Sequence, residues 1–95
     1  MKKVVLKDKV RIVGVKNDKR PHNWMIDYYL VTTNQEKLYA FSRKFTNGAY
    51  DLCKNPVFVN DISSLRSMDH GVMKLVNYLN YMLPYLVDYY DLKIA

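Results

Sequence analysis

Apolar and polar residues alternate over the first stretch of the chain. From residue 4 to 15 the even positions are Val4, Leu6, Asp8, Val10, Ile12 and Gly14, and the odd ones are Val5, Lys7, Lys9, Arg11, Val13 and Val15. A period of two with one mostly apolar and one basic face predicts a half-buried strand. Asp8 interrupts the apolar side, so regular pairing is expected from Lys9 onward. Lys16 to His22 is a basic connector with turn formers. Asn23–Thr33 is again β-prone, with Trp24, Ile26, Tyr28, Leu30 and Thr32 on one face and Met25, Asp27, Tyr29 and Val31 on the other. After a short turn at Asn34-Gln35, Lys37–Thr46 sets Leu38, Ala40 and Ser42 against Tyr39, Phe41, Arg43 and Phe45. So short a separation predicts a hairpin, and three such strands make a meander whose edges need covering.

After Asn47-Gly48 the period changes. Ala49–Lys54 suits one or two helical turns ended by Pro56, which disfavours helical geometry at Asn55. Val57-Phe58-Val59 reads as a short extended piece. Asp61 or Ser63 is a candidate cap for a short helix and Asp69 for a long one. In that long helix Val72, Leu75, Val76, Leu79, Met82, Leu83, Leu86, Val87 and Tyr90 fall in one stripe about 140° wide at 100° per residue. Asn77, Asn80, Asp88 and Asp91 lie opposite. Pro84 lacks the N–H that the helix interior needs, and the stripe keeps its phase across it, which predicts one kinked helix rather than two.

These patterns predict a single α+β domain over residues 1–95, mainly β over 4–59 with a C-terminal helix over 69–92. The architecture expected is a three- or four-stranded antiparallel meander with the long, Pro-kinked helix packed on one face. The expected core is Val10, Ile12, Trp24, Ile26, Leu30, Leu38, Val76, Leu79, Leu83 and Leu86.

Tyr78, Tyr81, Tyr85 and Tyr89 form a second stripe flanking the apolar one. A ring with an apolar body and a polar tip suits a boundary between buried and wet. Three roles compete for it: the rim of the helix–sheet core, a homodimer or partner interface, and base stacking.

The length of 95 residues fits one domain, and a hydrophobic share of 49% with 25% charged residues matches a folded globular chain. One Cys makes no internal disulfide. Neither a signal peptide nor a membrane span is read from the sequence, so a cytoplasmic location without membrane contact is expected. Charge changes the picture more. Residues 1–45 carry 11 Lys+Arg and 4 Asp+Glu, whereas residues 46–95 carry 4 and 5. Such asymmetry points to an acidic partner.

Catalytic chemistry finds little support. Cys53, His22 and His70 are far apart and lack metal-ligand spacing, so neither a metal site nor a cofactor is expected. Glu36 is the sole Glu and sits at a turn. Asp51, Asp61 and Asp69 stand where caps and turns are expected. Tyr89-Tyr90 lacks the cationic cluster that a DNA-attacking tyrosine needs. Gly14, Gly48 and Gly71 form no phosphate-cradling loop. The expectation is a protein that is not an enzyme.

Binding remains. Lys7, Lys9, Arg11, Lys16, Lys19, Arg20, Arg43 and Lys44, interleaved with Trp24, Tyr29, Tyr39 and Phe41, predict a strand face that tracks phosphates and stacks bases, suited to single strands. The same cations suit an acidic protein surface. Dimerisation through Tyr78, Tyr81, Tyr85 and Tyr89 on the C-terminal helix is expected alongside. The alternative is a small interaction protein of phage or mobile-element type that inhibits or modulates a host protein such as a nucleic-acid-handling nuclease complex. Its surplus of Tyr and Met is common in interface cores. A membrane-surface helix is disfavoured, because the polar face of the helix has few Lys or Arg.

Overall fold

The computed structural model describes residues 3–16, 25–44 and 57–95. The alternating segments form β1 (Val10–Lys16), β2 (Met25–Thr32) and β3 (Lys37–Lys44), joined as an open antiparallel sheet in the order β1-β2-β3. A short 3-10 helix, Ile62–Ser64, precedes the long helix α1, His70–Tyr90. The architecture is therefore α+β, with three strands followed by one helix. The extended piece at 57–59 contributes one isolated bridge, Val59 to Val10, rather than a fourth strand. The expected helical turn at 49–54 and the core position Trp24 lie outside the described residues.

Each element follows from its local chemistry. β1 pairs with β2 from Val10↔Thr32 to Lys16↔Ile26, so pairing starts beyond Asp8 as the pattern predicts. Before that point the chain pairs with other partners, the Leu6 N–H donating to the Asn60 carbonyl and Leu6 bridging Ile94. The β2–β3 turn places Gln35 in the left-handed region at φ 68°, and Thr32 receives the chain on both its carbonyl and its hydroxyl. Asp61, rather than Ser63, caps the 3-10 helix by accepting from the Ser63 N–H. The Lys3 ammonium at 2.7 Å, then the Ser63 hydrogen bonds, hold the Asp61 carboxyl below the usual carboxylate range. Asp69 caps α1, its Oδ1 accepting from the N–H groups of Gly71 and Val72. At the other end Asp91 adopts a left-handed conformation and closes the helix. One helix spans Pro84, and the bend expected there remains an expectation from its missing N–H.

The core lies between α1 and one face of the sheet. All nine described members of the expected core are buried, joined by Leu6, Tyr28, Ala40, Phe41, Ile62, Val72 and Leu75. Phe41 departs from strict alternation. Tyr29 pairs with Tyr39 but Tyr28 pairs with Phe41, so Ala40 is an extra residue, a bulge that reverses the facing of everything after it. Phe41 thereby turns into the core and Arg43 turns toward the helix. Tyr39 and Ser42 come to share the opposite face, where their hydroxyls are 2.7 Å apart and Ser42 donates to Asp27.

Candidate nucleic-acid interface

The bulge decides where the positive charge at the end of β3 is presented. Past Ala40, Arg43 is in register with the buried Ile26, and its guanidinium carbon lies 3.9 Å from the centre of the Tyr78 ring. Tyr78 is fixed from a second side by Phe41, edge-on at 4.8 Å between centroids. A cation lying on a ring face is attracted by its quadrupole, so the arginine and the tyrosine hold one another in place. Beside them opens a cavity of about 830 Å³ between the end of β3 and the first turns of α1, lined by Met25, Ser42, Arg43, Lys44, Lys74 and Tyr78 among others. That volume accommodates a small polar ligand or one nucleotide unit.

Three cations border this cavity, two from the basic half of the chain and Lys74 from the other. Among the described residues none of the three makes an ion pair; the ion pair present, Lys3–Asp61, lies elsewhere. Lys74 is four residues before Tyr78, seven before Tyr81 and eleven before Tyr85, which puts it on the tyrosine stripe of the helix. It was not among the residues singled out from sequence. The i, i+4, i+7, i+11 spacing was the signal that could have found it.

No protein-family model, curated protein or solved structure matches this chain. Function therefore has to be argued from the site itself.

The remaining candidate cations separate by position. Lys16 ends β1 and is exposed, in register through Ile26 with Arg43, so it belongs to the same end of the sheet as the cavity. Lys7 and Lys9 are exposed ahead of β1, and Arg11 lies over Phe58 at 5.9 Å, all at the opposite end. Lys19 and Arg20 lie outside the described residues. The sheet thus carries one basic group at each end. Of the aromatics expected between the cations, Phe41 is buried in the core and offers no face to a ligand. Tyr29 and Tyr39 pack edge to face on the outer side of the sheet, with Lys37 5.8 Å from the centre of the Tyr29 ring.

The tyrosine stripe continues from the cavity along the helix. Tyr78 is half-buried, whereas Tyr81, Tyr85 and Tyr89 are 54%, 60% and 81% exposed, which places the last three beyond the rim of the core. Tyr78 and Tyr81 are near-parallel with centroids 6.3 Å apart, and Tyr81 and Tyr85 are tilted at 6.2 Å. Tyr89 stands edge-on to Tyr90 at 4.9 Å. Tyr90 itself is turned inward, its hydroxyl donating to the Tyr39 carbonyl at 2.6 Å.

No helix among the described residues is long and apolar enough to cross a membrane. Those residues also gather no group of three or more His, Cys, Asp or Glu able to hold a metal ion. His22 and Cys53 lie outside them, and His70 is exposed at the start of α1.

Proposed function

We propose that this chain is a non-catalytic nucleic-acid-binding protein that holds the phosphate backbone at the Arg43–Lys44–Lys74 cluster. The observation that carries this reading is the convergence of three cations, from elements far apart in sequence, on one open cavity without a carboxylate partner among the described residues. Like charges brought together repel, so the arrangement favours an anion that bridges them. A phosphate chain satisfies several cations at once and gains further from counterion release. Lys16 extends the same positive end toward β1.

The test is fluorescence anisotropy of labelled single-stranded DNA, duplex DNA and RNA across a salt series. Arg43→Gln combined with Lys74→Gln is expected to weaken binding to all sequences and to flatten the salt slope by about 1.4 on single strands, two contacts at roughly 0.7 each. Lys7→Gln with Lys9→Gln, at the opposite end of the sheet, is expected to leave the slope unchanged. Equal slopes for the Arg43/Lys74 variant and the parent would overturn the assignment.

One observation favours a second reading. The exposed row Tyr81, Tyr85 and Tyr89 has the composition of a protein interface. If no nucleic acid binds at low salt, the cations serve an acidic protein surface instead, and the chain acts as a modulator of another protein, with a homodimer seam as the alternative use of the row.

A further inference from the structure

Resting on the nucleic-acid reading, we infer that the tyrosine row is a base-stacking ladder: unstacked bases of a single strand insert between Tyr78 and Tyr81 and between Tyr81 and Tyr85 while the adjoining phosphates lie on Arg43, Lys44 and Lys74. The ladder begins with a rigid rung. Arg43 covers one face of Tyr78 and Phe41 meets it edge-on, so this ring is positioned before any ligand arrives. Tyr81 is the next ring along the helix, its centroid 6.3 Å away and its plane only 27° from parallel. Bases stack at about 3.4 Å, so a base sandwiched between two rings needs about 6.8 Å. The Tyr78 and Tyr81 rings are already near-parallel, so rotation of the exposed Tyr81 side chain is the movement that opens a slot of that width between them. The Tyr81–Tyr85 pair, at 6.2 Å and 50°, needs a larger rotation.

Helix geometry sets the repeat. Rungs three and four residues apart rise roughly 4.5 and 6 Å along the axis and remain on one face. The ladder ends at Tyr85 for two reasons. Tyr89 is already engaged edge-on with Tyr90, and Asp88 and Asp91 bring negative charge to that end of the helix, where a phosphate would be repelled. The occupant is thus a strand of about three nucleotides whose backbone is anchored at the basic end and whose bases run toward Tyr85. Charge complementarity selects a nucleic acid over another apolar face. The need for open π-faces selects a single strand, because a duplex keeps the faces of its bases covered.

The experiment compares an eight-nucleotide deoxyadenosine strand with an abasic strand of equal length and charge, on the parent chain and on Tyr81→Leu, Tyr81→Phe and Arg43→Gln/Lys74→Gln. Tyr81 is exposed, so its replacement leaves the core intact. Stacking predicts that the base-bearing strand binds at least about 5-fold tighter than the abasic one, and that Tyr81→Leu loses about 5- to 150-fold on the base-bearing strand alone. Tyr81→Phe keeps the affinity, and Tyr81→Leu keeps the salt slope. Equal binding of the two strands, or an unchanged Tyr81→Leu while Arg43→Gln/Lys74→Gln still weakens binding, would overturn the ladder and leave the phosphate site standing. Failure of every strand to bind would overturn both. Sedimentation of the parent as a dimer and of Tyr81→Leu as a monomer would overturn the ladder by assigning the row to a seam between copies.

Discussion

Tyr90 falls in the apolar stripe of α1, and its hydroxyl donates to the carbonyl of Tyr39 on β3. The contact joins the last turn of the helix to a strand at the edge of the described sheet, whose exposed backbone groups would otherwise offer a template for pairing. Burial is the main cause that raises the phenol above its ordinary value, with the neighbouring Tyr89 adding to it. The sign follows directly. A group whose pKa is raised by folding favours the protonated, folded form, so its contribution is full below the ordinary tyrosine value of about 10 and is lost as pH rises through the raised one. Tyr90→Phe removes a hydrogen bond that contributes about 1 kcal/mol. Urea unfolding at pH 7 should show a loss of that size. The difference between variant and parent should shrink above pH 10, and a gap that stays constant with pH would contradict this account.

Among the elements, α1 carries an internal contradiction. Its apolar stripe buries Val72, Leu75, Val76, Leu79, Leu83 and Leu86, yet Pro84 sits on the exposed side, where it denies the Asn80 carbonyl its usual partner. Because the Pro84 ring faces solvent, its replacement leaves no cavity in the core. Pro84→Ala is expected to stabilise the chain by roughly 1–3 kcal/mol, up to the cost of an interior proline relative to alanine. That gain appears as a rise in Tm of several degrees in a domain of this size; a lower Tm would mean that the proline is required for the helix to follow the sheet. The helix, its Asp69 cap and its buried stripe were legible in the sequence because a period of 3.6 survives without knowledge of partners. The strands were legible for the same reason at a period of two. The bulge at Ala40 was not. Two adjacent apolar residues, Ala40-Phe41, fit either face of a strand, and only pairing with Tyr28 and Tyr29 fixes which one is extra. The candidate site inherits that gap. Arg43, Lys44 and the tyrosine stripe stood out as separate features, but their meeting depends on the phase reversal at Ala40 and on how α1 lies against β3.

At the scale of the whole molecule, closure depends on a junction that neither a strand nor a helix pattern announces. Leu6 is almost completely buried, its N–H donates to the Asn60 carbonyl at 2.8 Å, and the Asn60 side chain returns hydrogen bonds to the carbonyls of Leu6 and Lys7. On the other side the Lys7 N–H reaches the Lys93 carbonyl and the Ala95 N–H reaches the Val5 carbonyl, both at 2.9 Å. Three stretches distant in sequence therefore converge on one leucine. Their convergence ties the segment before β1 to both the 3-10 region and the end of α1. Leu6→Ala removes side-chain volume from a site held on several sides, where relaxation is restricted, so a loss of about 2–5 kcal/mol is expected. In a domain whose total stability is on the order of 5–15 kcal/mol, that shift is readily measured by denaturant unfolding. The junction lies at the end of the sheet opposite Arg43 and Lys44, since Val10 pairs with Thr32 while Arg43 pairs with Ile26. Leu6→Ala should therefore lower the midpoint of a single cooperative transition while the folded protein keeps the salt slope of the parent. A second, separate transition would instead make the terminal junction an independent unit. An altered salt slope in the folded variant would place the phosphate contacts at Lys7 and Lys9 and remove them from the cavity beside Tyr78.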